Sequence, residues 1–216
     1  MTLALPPELG LPMVYLVDDE EVVRHAVAWL LRSRRLLSTE FPSAETFLAA
    51  LPTPASADWP ASPSCLLLDL RMSGMSGIAL FDQLAERALI EVMPVIFLTG
   101  HGDVPTAVAT VKRGAFDFVE KPFSNNSLVD RIELALAASA RLLMARRERA
   151  ERLKGLEQLS EREREVMGLV AEGLLNKQIA EALHLSVRTI EAHRAHVFEK
   201  MNVASAVALA NLLNGT

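Results

Sequence analysis

Apolar residues along this chain fall into three patterns. The first is the short unbroken run that ends on a polar residue. Met13-Val14-Tyr15-Leu16-Val17 ends on Asp18-Asp19-Glu20, Leu66-Leu67-Leu68 ends on Asp69, and Val95-Ile96-Phe97-Leu98 ends on Thr99-Gly100. Runs of this length between turn formers predict strands buried on both faces. Residues 36–41 make a weaker strand, and Phe116-Asp117-Phe118-Val119 makes a fifth, stopped by Glu120-Lys121-Pro122-Phe123. The second pattern is helical spacing. Val22, Val23, Ala26, Val27, Leu30 and Leu31 share one face of a helix that closes near Arg32, Arg34 and Arg35, where cations suit the carbonyl end. Ser43 opens a short helix through Leu51, a third helix spans about 78–88, and Asp103 caps a fourth that tolerates Pro105 in its first turn.

Strand and helix alternate five times. The order predicts an α/β fold: a doubly wound, five-stranded parallel sheet, helices on both faces, with ligands at the carboxyl ends of the strands. Residues 52–64 hold four prolines, a surface loop that reads as an insertion before the central strand.

The third pattern is all-helical. A helix from about Ser127 carries Ile132, Leu136 and Ala140 on one face, then continues through dense charge to Lys154 without Gly or Pro. Leu142, Leu153 and Leu156 make no sustained heptad, so a solvated helical connector is expected rather than a coiled coil. Ser160-Glu161-Arg162-Glu163 is a capping box before Val166, Met167 and Val170, and Gly173 ends that helix. Asn176 is expected to cap a short helix bearing Ile179, Ala180 and Leu183. Ser186 caps another bearing Ile190, Val197 and Met201, and a last helix carries Val207, Leu209 and Leu212. The boundaries read as a tail 1–12, an α/β domain 13–138, a helical linker 139–156 and a four-helix domain 157–216.

Charge follows the same division: residues 1–124 are net −6, 125–154 net +3 and 155–216 net −2. No segment is basic enough to mark a nucleic-acid binder by charge alone, so that claim must rest on motif and geometry. The single cysteine, Cys65, excludes an internal disulfide and reads as a small buried hydrophobe. No stretch resembles a signal peptide or a membrane span, and a reducing cytoplasm is the expected location.

The chemistry lies at the strand ends. Asp18, Asp19 and Asp69 come from adjacent strands, and three carboxylates repel unless a cation sits among them. Oxygen ligands favour a hard divalent ion, and Mg2+ suits a shallow site that leaves positions for phosphate oxygens. Asp69 can then attack a phosphoryl group, with Lys121 and the Thr99 hydroxyl neutralising and orienting its oxygens. The expected product is a phosphoaspartate.

Val17-Asp18-Asp19-Glu20, Leu68-Asp69-Leu70-Arg71-Met72, Leu98-Thr99-Gly100-His101-Gly102-Asp103 and Glu120-Lys121-Pro122-Phe123 together resemble the receiver domain of two-component response regulators, over residues 13 to about 138. The resemblance implies a flavodoxin-like fold, Asp69 as phosphoacceptor from a sensor histidine kinase, and Mg2+ held by Asp19, Asp18, Asp69 and the Arg71 carbonyl. It also implies a cis peptide before Pro122, a Thr99–Phe118 switch, and dimerisation through the helix 103–114 and strand 116–119. Ser73 departs from the family, which usually carries proline there, and a less rigid loop is expected. Arg71 stands where haloacid-dehalogenase-type phosphatases carry a second Asp, which disfavours an aspartyl-phosphate phosphatase.

Residues 176–200 have helix-turn-helix spacing across His184-Leu185-Ser186. With Glu163, Gly173, Asn176-Lys177, Ile179-Ala180, Leu183, Ser186, Thr189-Ile190, His193 and Lys200-Met201 they resemble the LuxR-type DNA-binding domain, so nearly the whole chain, the linker and the proline-rich loop excepted, resembles the NarL/FixJ family, on its FixJ-like branch. By position, Glu191, Ala192 and Ala195 are expected to face base edges, while Lys177, Arg188, Thr189, Arg194 and Lys200 meet phosphates and His193 either contacts the DNA backbone or supports the helix. Residues 176–200 carry four Lys or Arg against three Glu, so paired half-sites are needed for affinity. The expected protein is phosphorylated on Asp69, dimerises, binds promoter DNA and engages RNA polymerase to activate transcription. It is no enzyme beyond its own phosphoryl chemistry. A phosphorylation-independent DNA-binding regulator remains the alternative.

Overall fold

The computed structural model of the protein describes residues 5–52, 59–100 and 104–214. The chain forms two compact units, 1–145 and 146–216.

In the first unit, strands β1 (Met13–Val17), β2 (Leu37–Phe41), β3 (Ser64–Asp69), β4 (Val95–Thr99) and β5 (Asp117–Glu120) form one sheet of order β2-β1-β3-β4-β5, every pair parallel. Helices α1 (Glu21–Ser33), α2 (Ala44–Ala50), α3 (Gly77–Glu86) and α4 (Val104–Lys112) connect the strands, and α5 begins at Asn125. The strand order reverses between β1 and β3, so their carboxyl ends frame the crevice of a doubly wound sheet.

Alternation along the central strand explains its unbroken apolar run. Cys65 and Leu67 face a cluster with Val27, Leu30 and Leu31 of α1 and Leu128, Ile132 and Leu136 of α5. Leu66 and Leu68 face the opposite cluster, with Phe47 of α2 and Leu80, Phe81 and Leu84 of α3. All six residues of β3 are buried, so its side chains leave water on both sides.

Several elements differ from the sequence-based reading. Val22 and Ala26 lie on the exposed side of α1, whose buried stripe is Val27, Ala28, Leu30 and Leu31. Phe116 lies outside β5, 37% exposed. The expected cap Asp103 falls outside the described residues. The Lys121-Pro122 bond is cis.

The tail before β1 is part of this unit. Residues Pro7–Leu9 form a 3-10 turn that buries Leu9 beside Val92 and two residues of α5, Ala140 and Leu143. Ser139, also buried, accepts the Ser64 N–H at 3.0 Å and donates to the Val92 carbonyl at 2.6 Å. The α/β core therefore continues past residue 138, and α5 runs as one helix from Asn125 to Gln158.

In the second unit, α6 (Glu161–Ala171), α7 (Asn176–Leu183), α8 (Val187–Lys200) and α9 (Ala206–Asn214) pack Val166, Val170, Ile179, Ile190, Val197 and Leu209 into one core. The Ser160–Glu163 capping box forms as expected, and Ser186 caps α8 by accepting the Thr189 N–H. Asn176 does not cap α7. Leu175 holds that position, and Gln178 reaches back to accept its N–H at 2.8 Å, which leaves the Asn176 amide for another partner.

Candidate functional site

The parallel register brings the polar ends of β1, β3, β4 and β5 to one edge. Val17 pairs with Leu68, Asp69 with Leu98, and Thr99 with Glu120, so each polar residue follows its strand's last buried neighbours. Asp18 is fully buried and Asp69 is 6% exposed. Between them lies Lys121, whose Nζ donates to Asp18 Oδ2 at 2.8 Å and to Asp69 Oδ1 at 2.8 Å, with Glu20 Oε1 at 3.8 Å. One ammonium thus joins the ends of β1, β3 and β5.

Burial pushes the Asp69 carboxyl above the usual carboxylate range; the Lys121 hydrogen bond and charge pull it back, and the Asp18 charge adds to the rise. Burial pulls Lys121 down, but its hydrogen bonds and charge contacts with Asp18 and Asp69 outweigh that, and its pKa rises. The lysine therefore stays cationic between two carboxylates. Asp69 Oδ2 accepts the Arg71 N–H at 3.1 Å, which turns the chain sharply at the end of β3. Asp18 anchors the turn after β1: its Oδ1 accepts the Glu20 N–H at 2.9 Å, and its carbonyl accepts Arg24 Nη1 at 2.7 Å.

Thr99 is fully buried, and its Oγ1 has no hydrogen-bond partner among the described residues. A buried hydroxyl left unpaired costs about 1–3 kcal/mol. An oxygen-bearing group bound at this edge would give that hydroxyl the acceptor it lacks. Phe118 is half-buried against the α3-side cluster, in register with Phe97.

Asp19 stands differently. Its Oδ2 accepts the Ser73 N–H at 2.8 Å, and that backbone hydrogen bond chiefly holds its carboxyl below the usual range. Among the described residues no three acidic or other ligating side chains converge into a set that could hold a metal ion. The donor chemistry nonetheless fits a hard cation: carboxylates from two strand ends, beside an ammonium that already balances part of their charge.

Two residues overlooked in the sequence shape this edge. Gly77 starts α3 where a side chain would collide with the Asp69 backbone, and Glu45 of α2 accepts the Met75 N–H at 2.9 Å, holding the loop after β3. A glycine at the first helical position, at the end of the loop that follows β3, was the available signal for the first. Nothing local marked Glu45.

In the second unit, α7 and α8 are joined by His184, in the left-handed region at φ 53°, then Leu185 and Ser186. Arg188, Glu191, Ala192, Ala195 and Glu199 form the exposed face of α8, and Lys177 is exposed on α7. Thr189 and His193 are half-buried. Arg194 and Lys200 have partners inside the unit. Arg194 Nη1 donates to Asn176 Oδ1 at 2.6 Å and its guanidinium lies 5.4 Å from the Phe198 ring centre. Lys200 Nζ donates to Glu163 Oε2 at 2.7 Å. Both cations tie α8 to its neighbours.

No described helix is long and apolar enough to cross a membrane. Residues 14–133 match the response regulator receiver domain, and residues 157–213 match the luxR family of bacterial regulatory proteins. The chain is 45% identical over 200 residues to the C4-dicarboxylate transport transcriptional regulatory protein DctR of Rhodobacter capsulatus, covering 92% of this chain and 98% of that one. It is 42% identical over 196 residues to the transcriptional regulatory protein FixJ of Rhizobium meliloti, covering 89% and 90%. Among solved structures, the response regulator StyR matches with a TM-score of 0.82 at 37% identity, covering 96% of this chain and all of that one.

Proposed function

From the chain's membership of the two-component response regulators that join a receiver domain to a LuxR-type DNA-binding domain, transcription regulators of the FixJ and DctR type, we propose that Asp69 accepts a phosphoryl group from a sensor histidine kinase and that the modified protein dimerises on promoter DNA and activates transcription. The observation that carries this reading is the joining of Asp18 and Asp69 by one lysine, 2.8 Å from each, at the same sheet edge as a buried Thr99 hydroxyl that has no partner among the described residues.

In this reading an Asp69 oxygen forms a bond to phosphorus as the bond from phosphorus to the donor's histidine nitrogen breaks. The raised pKa keeps the carboxylate a better nucleophile than an ordinary aspartate, and Lys121 holds it ionised. Thr99 donates to a phosphoryl oxygen once one is present, which satisfies its orphaned hydroxyl. That hydrogen bond draws the end of β4 toward Asp69, and Phe118 fills the space released. Asp18, Asp19, Asp69 and the Arg71 carbonyl would hold Mg2+, which would supply positive charge for the phosphoryl oxygens.

The dimer surface is the face of α4 and β5. Val108, Val111 and Phe116 are 41%, 37% and 37% exposed there, apolar area that a second copy would bury. DNA is met by the exposed face of α8, with Lys177 and Arg188 on phosphates and Glu191, Ala192 and Ala195 toward base edges; RNA polymerase is then recruited at the promoter.

Incubation with acetyl phosphate and MgCl2 tests the reading. The wild type should gain one acid-stable, hydroxylamine-labile phosphoryl group and bind paired half-sites more tightly as a dimer. Asp69→Ala should do neither, and phosphorylation of that variant would overturn the assignment.

A further inference from the structure

Ser73 occupies the position where the receiver family usually carries proline, and its backbone N–H makes a hydrogen bond that a proline could not donate. Asp18 and Asp69 share the Lys121 ammonium, whereas Asp19 is bonded to the loop after β3 through Ser73 at 2.8 Å. With Asp19 held there, no three ligating side chains among the described residues converge on a metal position.

The loop cannot simply follow Asp19 inward. Two residues on, the Met75 N–H is bonded to Glu45 of α2 at 2.9 Å. Gly74 lies between them at φ +81°, so close to Glu45 that an added Cβ would sit 3.0 Å from Oε1. The loop is thus fastened to α2 on one side and to the turn after β1 on the other. For Asp19 Oδ2 to turn toward the other two carboxylates, its bond to Ser73 must break.

We propose that the Ser73 backbone N–H is a latch that holds Asp19 off the cation site in the resting protein, so that Mg2+ binds only by releasing it. Ser73 is then a positioning residue that sets the Mg2+ threshold for phosphorylation. The inference rests on the phosphoryl-transfer reading of this pocket. Ser73 is exposed, so water replaces Asp19 when the latch opens, and the resistance should amount to about tenfold in affinity.

Calorimetric titration of the full-length protein with MgCl2, without phosphodonor, tests the latch. Ser73→Pro, which removes the N–H, should bind Mg2+ about tenfold more tightly than the wild type. Ser73→Ala, which keeps it, should stay within about twofold, and Asp69→Ala should weaken binding and so place the ion in this pocket. A Ser73→Pro affinity equal to or weaker than wild type, or a Ser73→Ala gain as large as that of Ser73→Pro, overturns the latch but not the pocket. Absence of any Mg2+ binding that Asp69→Ala weakens overturns both. A second measurement does not depend on the folding of a variant: amide hydrogen exchange of the wild type. The Ser73 amide should exchange slowly without Mg2+ and faster at saturation; rapid exchange in the ion-free protein overturns the proposal.

Discussion

A Cβ built on Gly77 would lie 2.0 Å from the Asp69 carbonyl oxygen and 3.0 Å from its carbonyl carbon. Both are backbone atoms, so nothing flexible can give way, and Gly77→Ala must displace the end of β3 or the start of α3. The expected cost is about 1–3 kcal/mol in urea denaturation, together with slower phosphorylation by acetyl phosphate, because the atoms displaced are those of the proposed phosphoacceptor's own backbone. Glu163 shows a different residue-scale effect. Its carboxylate, 5% exposed, accepts from Lys200 and from the Ser160 N–H, and these bonds, Lys200 first, hold its pKa down to about 2. A carboxyl with a depressed folded pKa stabilises the fold above its unfolded value, near 4.5, and loses that contribution as pH falls toward 2. Glu163→Gln should therefore lower the melting temperature of the second unit at pH 7, and differential scanning calorimetry should show the gap closing between pH 4.5 and pH 2. Sequence reasoning found Glu163 as half of a capping box because that spacing is local. It did not find the bond to Lys200, 37 residues away, because only the packing of α8 against α6 brings the two together.

At the scale of elements, strands were easier to place than the buried faces of helices. An apolar run ending on Asp, Thr or Lys is legible because a strand buried on both faces tolerates no polar residue until it emerges. Val22 and Ala26 were assigned to the core of α1 by spacing, yet the sheet accepts only the stripe through Val27, Leu30 and Leu31. The twelve residues before β1, three of them proline, carry no periodicity, yet Leu9 is buried against Val92, Ala140 and Leu143. Leu9→Ala should cost about 2–3 kcal/mol in urea unfolding of the first unit, whereas Leu11→Ala, at a side chain 72% exposed, should be within about 0.5 kcal/mol of neutral. In the helix-turn-helix, Arg194 links α8 to Asn176 at the start of α7. Arg194→Ala should weaken binding to every DNA sequence by a similar factor, measured by fluorescence anisotropy, since it loosens the angle between the helices and not one base contact.

Across the whole molecule, the two units each have a core of their own, and α5 is the element that runs through residues of both. The α/β unit ends later than residue 138, because Ser139, Ala140 and Leu143 on α5 are buried against the tail and the loop before β4. A fragment of residues 1–145 should fold and, on the function proposed above, take up phosphate at Asp69 to the same extent as the full chain. A fragment ending at 138 should lose about 2–5 kcal/mol in urea denaturation, since it discards those side chains and leaves the Ser64 N–H and the Val92 carbonyl without Ser139.

The linear order of apolar runs and strand-end polar residues was enough to determine the parallel α/β fold, the helical second domain and the candidate phosphoacceptor with its lysine and threonine. Those features are written in local periodicity and in which residue breaks each run. Tertiary structure alone decided that Lys121 bridges Asp18 and Asp69 while Ser73 holds Asp19, that Gly77 must lack a side chain, and that Arg194 and Lys200 have protein partners. Each of these depends on distances between residues far apart in the chain, and such distances exist only once sheet register and helix packing are set.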